Sequence, residues 1–287
     1  SLIFCVRDIE NALIPNFIER IEPFAFNKCD RLHGLEISND SKLQVIEKNS
    51  FYMSSIESIS IPSSEAVLKN GWCHLTPKLT RVTLYQNNHH YKLHEGKLIL
   101  GKSSNENDFF NVLVFANRVV KKVTLPDFVE YIAPYAFDSC TKLRTVEISK
   151  DSKLTSIGKY AFSESSIQSL SIPSSLTEIN KGSFSNCHIL KKIEIPEDSK
   201  LKIIGKNAFQ YSGIESFTIT SQITQICEES FANCRNLNKV IISSNSQLQS
   251  IGQYAFHYSN VRSLSFSHVI TQFGYGAFNL SLLLIVE

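Results

Sequence analysis

Methionine and tryptophan each occur once in this chain of 287 residues, while phenylalanine occurs 19 times. That skew points to one template copied many times. No run of about 18 apolar residues is present; the best candidate, 280–286, is far too short to cross a bilayer. An excess of either charge is also missing: 29 Lys and Arg stand against 27 Asp and Glu. This near-balance excludes the basic stripe of a nucleic-acid binder. With 43% hydrophobic and 20% charged residues, a disordered chain is excluded as well. Seven cysteines, an odd count, are too few for a disulfide-dense scaffold. There is no Walker loop, G-x-G-x-x-G, G-x-S-x-G, H-E-x-x-H or paired C-x-x-C, so the chain is expected to be no enzyme and to need no cofactor. It opens on Ser1 without a charged segment leading into an apolar one, and reads as a fragment.

What fills the chain is a repeat. An Ala-Phe or Ser-Phe dipeptide, or a close variant, places Phe at 26, 51, 137, 162, 184, 209, 231, 256 and 278. From Phe137 the steps alternate 25 and 22, so the unit is a pair of coils, 47 residues together. One coil type reads SFSNCHILKKIEIP from Ser183; the other carries Ser in place of Cys, as in AFSESSIQSLSI from Ala161. Each contains L-x-x-[ILV]-x-[IL] or a close variant, followed by a turn and a second apolar pair. One short strand per turn of a solenoid explains this, with apolar residues turned inward.

Inward strand residues fall at i and i+2, as in Val146 and Ile148 or Phe217 and Ile219, because period two places both on one face. Their last members are Ile14, Ile37, Ile61, Leu84, Leu125, Ile148, Ile172, Ile195, Ile219, Ile242 and Phe266, giving eleven parallel strands. Proline follows at Pro15, Pro62, Pro126, Pro173 and Pro196, where its missing N–H stops the ladder. Segments such as Tyr160-Ala161-Phe162-Ser163-Glu164 are expected to be turns and short helical pieces. A coil buries about six apolar residues at roughly 1.5–3 kcal/mol each. Ordering its backbone costs about 1–2 kcal/mol per residue. A lone coil is therefore unstable, and residues 1–287 are expected to form one array.

A 41-residue gap between Leu84 and Leu125 breaks the period. Residues 86–118 alternate apolar and polar around Glu95-Gly96, which predicts a β-hairpin or an extended irregular coil. Residues 1–37 match 112–148 at an offset of 111, so the N-terminus repeats the end of this insertion. The last residues stop inside a coil with no polar cap, which reads as a fragment or as a chain paired at its ends.

The motif I-G-x-x-A-F, at Ile157-Gly158 and Ala161-Phe162, leads into F-x-x-C-x-x-L-x-x-I-x-I at Phe184, Cys187, Leu190, Ile193 and Ile195. Together they closely resemble the BspA-like leucine-rich-repeat family over nearly the whole chain outside 86–118. Glu95 to Arg118 looks like the insertion of the protist surface antigens of that family. The resemblance implies an α/β leucine-rich-repeat solenoid, a right-handed horseshoe with a parallel sheet on its concave face and one β-rich insertion. It further implies a secreted or cell-surface adhesion protein whose partner is a host-cell or matrix protein. A cytoplasmic interaction scaffold, favoured by free thiols, is the alternative. Gly158 has counterparts at Gly205, Gly252 and Gly274, but Glu47 and Cys227 stand there in other coils, so the position does not require positive φ.

The outward strand residues are the candidate ligand-binding face: Glu36, Ser60, Thr83, Thr124, Glu147, Ser171, Glu194, Thr218, Ile241 and Ser265. Beside them on that face run Gly34, Ser58, Arg81, Lys122, Thr145, Ser169, Lys192, Ser216, Lys239 and Ser263. Solvation of any exposed strand face explains such polarity equally well. No aromatic anchor occurs among them. Cys140, Cys187 and Cys234 are 47 apart, with Ser165 and Ser212 on the coils between. Rungs of about 4.8 Å put cysteines two coils apart at roughly 10 Å, beyond the ~7 Å reach of a disulfide. They are expected to be free, buried thiols, with metal or redox use the alternative. His89, His90 and His94 in the insertion suit a solvated loop; metal binding would need further ligands that the neighbouring sequence lacks. Sequons at Asn39-Asp40-Ser41 and Asn279-Leu280-Ser281 weakly favour secretion.

Overall fold

The computed structural model describes residues 1–38, 40–61, 66–85, 88–104, 108–264, 270–281 and 285–286; Asn39, Pro62, Ser265 and Phe266 lie outside them. Two compact units are present: Ser1–Val120 with Ala133–Thr141, and Lys121–Ile132 with Lys142–Glu287.

In the first unit the strands Asn11–Ile14, Gly34–Ile37, Ser58–Ile61 and Arg81–Leu84 form a parallel sheet. Every second residue faces inward, with Ala12 and Ile14 or Leu35 and Ile37 buried and Leu84 half-buried, which is the period-two pattern read from the sequence. The second unit repeats this in Lys122–Thr124, Thr145–Glu147, Ser169–Ser171 and Lys192–Glu194, and again in Ser216–Ile219 with Lys239–Ile242. The second apolar pair of each coil makes a further parallel ladder of two-residue strands. Arg20–Ile21, Val45–Ile46 and Val67–Leu68 carry it in the first unit, and Ser156–Ile157 through Ser250–Ile251 in the second.

Among the described residues there is no helix, so the α/β expectation is corrected: each unit is all-β. The turns around phenylalanine show why. Tyr160 and Glu164 flank Phe162 at φ 56° and 58°, and Asn207 and Tyr211 flank Phe209 at 57° and 58°. A right-handed helix needs φ near −60° throughout. Backbone N–H groups in this segment alternate between two acceptors. Ala161, Ser163 and Ser165 donate three residues back within the coil, whereas Tyr160, Phe162 and Glu164 donate to Lys181, Ser183 and Ser185 of the next coil. A helix would withdraw those inter-coil bonds. Each turn is thus a third ladder holding coil to coil.

Inside the turns the phenylalanines stack. Phe162, Phe184, Phe209, Phe231, Phe256 and Phe278 follow one another at 5.1 to 5.2 Å between centroids, tilted by 9° or less. In the first unit Phe26 and Phe51 stack at 4.9 Å. Cysteine and serine line a parallel polar seam: the Cys187 thiol donates to the Phe162 carbonyl at 2.9 Å and lies 3.5 Å from the Ser165 hydroxyl.

The glycines of the I-G motif have negative φ, as the sequence indicates; crowding is what selects them. A Cβ on Gly252 would come within 2.4 Å of the Glu228 backbone nitrogen of the adjoining coil. Gly182 differs, with φ +62° and the Tyr160 ring lying over it, 2.3 Å from where a Cβ would sit. The insertion contains the expected hairpin: Tyr91–His94 pairs antiparallel with Leu98–Gly101 across a turn in which Glu95 and Gly96 have positive φ. Val112–Ala116 adds a third antiparallel strand. The 111-residue offset is visible in the bonding, since Cys5 donates to Ala25 as Ala116 does to Ala136.

Two stability predictions follow from the turn. Phe184→Ala should cost about 3–5 kcal/mol in urea denaturation, because it leaves a gap in a continuous stack. Met53 is 43% exposed with φ 57°, at the position where Asn186 and Asn233 stand in other coils. Met53→Asn should raise stability by about 0.5–1 kcal/mol, through relief of the left-handed penalty; an unchanged or lower midpoint would contradict this assignment of strain.

Candidate functional site

On the first unit's sheet the outward residues form a two-by-four grid. One row is Asn11, Gly34, Ser58 and Arg81; the other is Leu13, Glu36, Ser60 and Thr83. The short side chains Gly34, Ser58 and Ser60 occupy its middle, between taller residues at both ends. The result is a trough of about 620 Å³ lined by all eight. Leu13 is 67% exposed at one end. The Thr83 hydroxyl donates to Ser60 at 2.9 Å, and Tyr85 braces the edge by donating to the Ile37 carbonyl. Near the strand entrances Arg31 pairs with Glu10, and His33 Nδ1 lies 3.0 Å from Glu57. Glu36 and Arg81, both exposed, have no hydrogen-bond or ion-pair partner among the described residues.

The second unit's face has the same grid and a different chemistry. Lys122 pairs with Glu147 at 2.6 Å, and Thr124 donates to the same carboxylate. Ser171 donates to Glu194 at 2.6 Å while Lys192 pairs with it at 3.1 Å. These donors hold both carboxyls below the ordinary glutamate range, Lys122 acting chiefly on Glu147 and Ser171 chiefly on Glu194. Thr218 and Lys239 sit on the neighbouring pair of strands, opposite Ile241 and Ser216. Ser265 lies outside the described residues.

Of the sequence-predicted residues, Glu36, Ser60 and Thr83 therefore come together in one trough. On the second unit's face Lys122 and Lys192 match Glu147 and Glu194, while Lys239, exposed, has no ion-pair partner among the described residues. Asn11 and Leu13 complete the trough; the same period-two register, carried one strand earlier from Ile14, marks them. His89 and His90 sit in a bend and His94 at the end of a strand, with its Nε2 4.0 Å from Glu95. Among the described residues no three His, Cys, Asp or Glu side chains are placed to hold a metal ion.

Sequence reasoning also passes over Arg118, which is 1% exposed. Its guanidinium donates to the Ala116 and Ala136 carbonyls at 3.3 and 3.1 Å, lies 3.5 Å from the Cys140 and Cys73 sulfurs, and stacks over Phe115. Burial works against its charge, but Cys140, Cys73 and the buried Asp138 more than offset this and raise its pKa. Asp138 accepts from the Leu75 N–H and the Ser139 hydroxyl, with His74 Nδ1 3.2 Å away. The cluster ties the insertion's last strand to the preceding coil. A lone Arg in VLVFANR gives no sequence signal of this, because its partners are 45 and 22 residues away.

All seven cysteines are free; five are buried, with Cys5 and Cys227 half-buried. Burial pushes Cys29 and Cys73 up to about 11 and Cys234 up to about 12. Their reactive thiolate is scarce at neutral pH.

The pattern in these coils matches the BspA-type leucine-rich-repeat model in six copies, over residues 2–94, 110–238 and 202–285. Three solved structures share the fold at 20% identity. One is a leucine-rich cell surface protein from Faecalibacterium prausnitzii (TM-score 0.64; 96% of this chain, 63% of that one). Another is a leucine-rich-repeat protein from Eubacterium ventriosum (0.70; 97% and 85%). The third is the pneumococcal vaccine antigen PcpA (0.65; 93% and 63%). The chain thus spans less than two thirds of the first and third. No curated protein matches the chain in sequence.

Two measurements bear on this chemistry. Arg118→Met should destabilise the fold by about 1–3 kcal/mol, since it removes the donors to the buried Ala116 and Ala136 carbonyls, with Arg118→Lys milder. A thiol reagent at pH 8 should modify Cys5 and Cys227 first and reach all seven only on unfolding. The raised thiol pKa values give the sign for pH: stability is full below the unfolded thiol value near 9 and is lost as pH rises toward 11–12.

Proposed function

The chain belongs to the BspA-type leucine-rich-repeat family, and on that footing we propose that it is a non-enzymatic recognition module that binds a protein ligand through its strand face. The observation that carries this reading is the trough over Asn11–Ile14 to Arg81–Leu84. It is concave, mixes apolar and polar lining, and holds two opposite charges without ion-pair partners among the described residues. Desolvating such groups is worthwhile only when a partner supplies their counter-charges. On the second unit's face Glu147 and Glu194 already have partners, so it contributes less.

Surface display is the setting this reading favours. It is supported by the family and by the cell-surface protein and vaccine antigen among the similar folds. No helix among the described residues is long and apolar enough to cross a membrane. An intracellular interaction scaffold is the second reading, and the seven free thiols favour it, since reducing compartments preserve them.

The experiment is a pull-down from solubilised cell-surface and matrix proteins with three forms of the chain. Ser58→Trp, which fills the trough, should reduce capture at least tenfold relative to wild type. Reversal of Glu147, Glu194 and Lys192 together should change it less than threefold. Undiminished capture by Ser58→Trp would remove the trough as the binding site.

A further inference from the structure

The spacing of the two unpartnered charges restricts what fits between them. Glu36 and Arg81 stand on opposite rows of the grid and two strands apart. Rungs of about 4.8 Å and a two-residue step of about 7 Å along the strand put them roughly 12 Å apart. That excludes a single small zwitterion, which cannot reach both. An extended peptide advances about 3.3 Å per residue and shows every second side chain on one face. Four residues therefore span the gap with both charged side chains facing the sheet. Leu13 lies one strand beyond Glu36, on the side away from Arg81, with two thirds of its surface open to solvent. A residue two positions further along the same peptide would cover it. The floor between, Gly34, Ser58 and Ser60, is low enough to admit a backbone and supplies hydroxyls to it.

We infer that the trough takes an extended peptide segment bearing, in order, an apolar residue, a basic residue two positions on and an acidic residue four positions after that. This rests on the strand face being the binding surface and goes further by naming the ligand's chemistry. Lysine or arginine of the peptide meets Glu36, aspartate or glutamate meets Arg81, and the apolar side chain covers Leu13. The charge order is the specificity element. Exchanging the two charges brings like charges together at both ends, which an interface penalises more strongly than it rewards a match. A neutral glycan would leave both charges desolvated and unpaired, and a polyanion would be repelled by Glu36. Two positions of the second unit, Glu147 and Lys122, are already paired with each other and serve as controls.

Fluorescence anisotropy with two labelled heptapeptides tests this. One carries leucine, lysine and glutamate at its first, third and seventh positions; the other has the two charges exchanged. Wild type should prefer the first by about tenfold, the scale of a hydrogen-bonded charge. The double variant Glu36→Lys/Arg81→Glu should prefer the second by a similar factor, while the Glu147→Lys control keeps the wild-type preference. The inverted preference is the informative result, because loss of folding cannot produce it. Equal binding of both peptides by wild type, or a double variant with unchanged preference, would overturn the charge-order assignment. If Ser58→Trp still abolishes protein capture in that case, the recognition reading survives and only the ligand's chemistry is wrong. Failure of wild type to bind either peptide, together with undiminished capture by Ser58→Trp, would overturn both. Binding of a neutral oligosaccharide in preference to either peptide overturns the inference as well.

Discussion

Everything in each unit depends on where the backbone N–H groups of the phenylalanine turns point. Half of them close the turn within a coil and half reach into the next one, as Phe162 does to Ser183 and Phe184 to Ala208. Residues in the left-handed region on both sides of the phenylalanine make that alternation possible. The aromatic stack, at just over 5 Å per step, is the side-chain counterpart of the same ladder. Together they fix the rise and rotation of successive coils. The strand face inherits its grid from this: because each coil sits in register on the last, outward residues fall into straight rows.

A regular grid carries no chemistry of its own, and the two units use it differently. In the second, lysine, serine and threonine neighbours satisfy Glu147 and Glu194, at little energetic advantage, as expected of exposed ion pairs. In the first, glycine and serine at the centre remove bulk, and the charged residues are set too far apart to meet each other. On the proposed reading, recognition is carried by which residues stand in rows that the fold merely supplies.

The strands were legible from the sequence because their signal is local. Leu35 and Ile37, or Phe217 and Ile219, report inward faces through period two alone, and the 47-residue spacing places the coils. The hairpin around Glu95-Gly96 was legible for the same reason. Helical pieces around the phenylalanines were the error. Short apolar-polar segments such as YAFSE carry helix-compatible residues, while the bonds that override helix formation run to another coil and leave no local trace. Arg118 was opaque on the same ground, since its environment is assembled from Cys73, Ala136 and Cys140. Of the site, Glu36, Ser60 and Thr83 were legible as outward-facing strand residues. That they form a trough depends on the small neighbours Gly34 and Ser58, and that Glu36 is unmatched depends on the absence of a lysine where the second unit has Lys122.

The three ladders also decide how such a unit responds to force. Their hydrogen bonds all lie along the direction in which coils are piled, so tension applied along that direction loads one inter-coil boundary after another in series. Each boundary then gives way separately, as in a peeled seam, at low force and over a long extension. Tension applied across the strands loads all the rungs of a boundary in parallel and meets far greater resistance. A tether that carries such a unit between two surfaces would therefore behave as a shock absorber in one orientation and a stiff strut in the other.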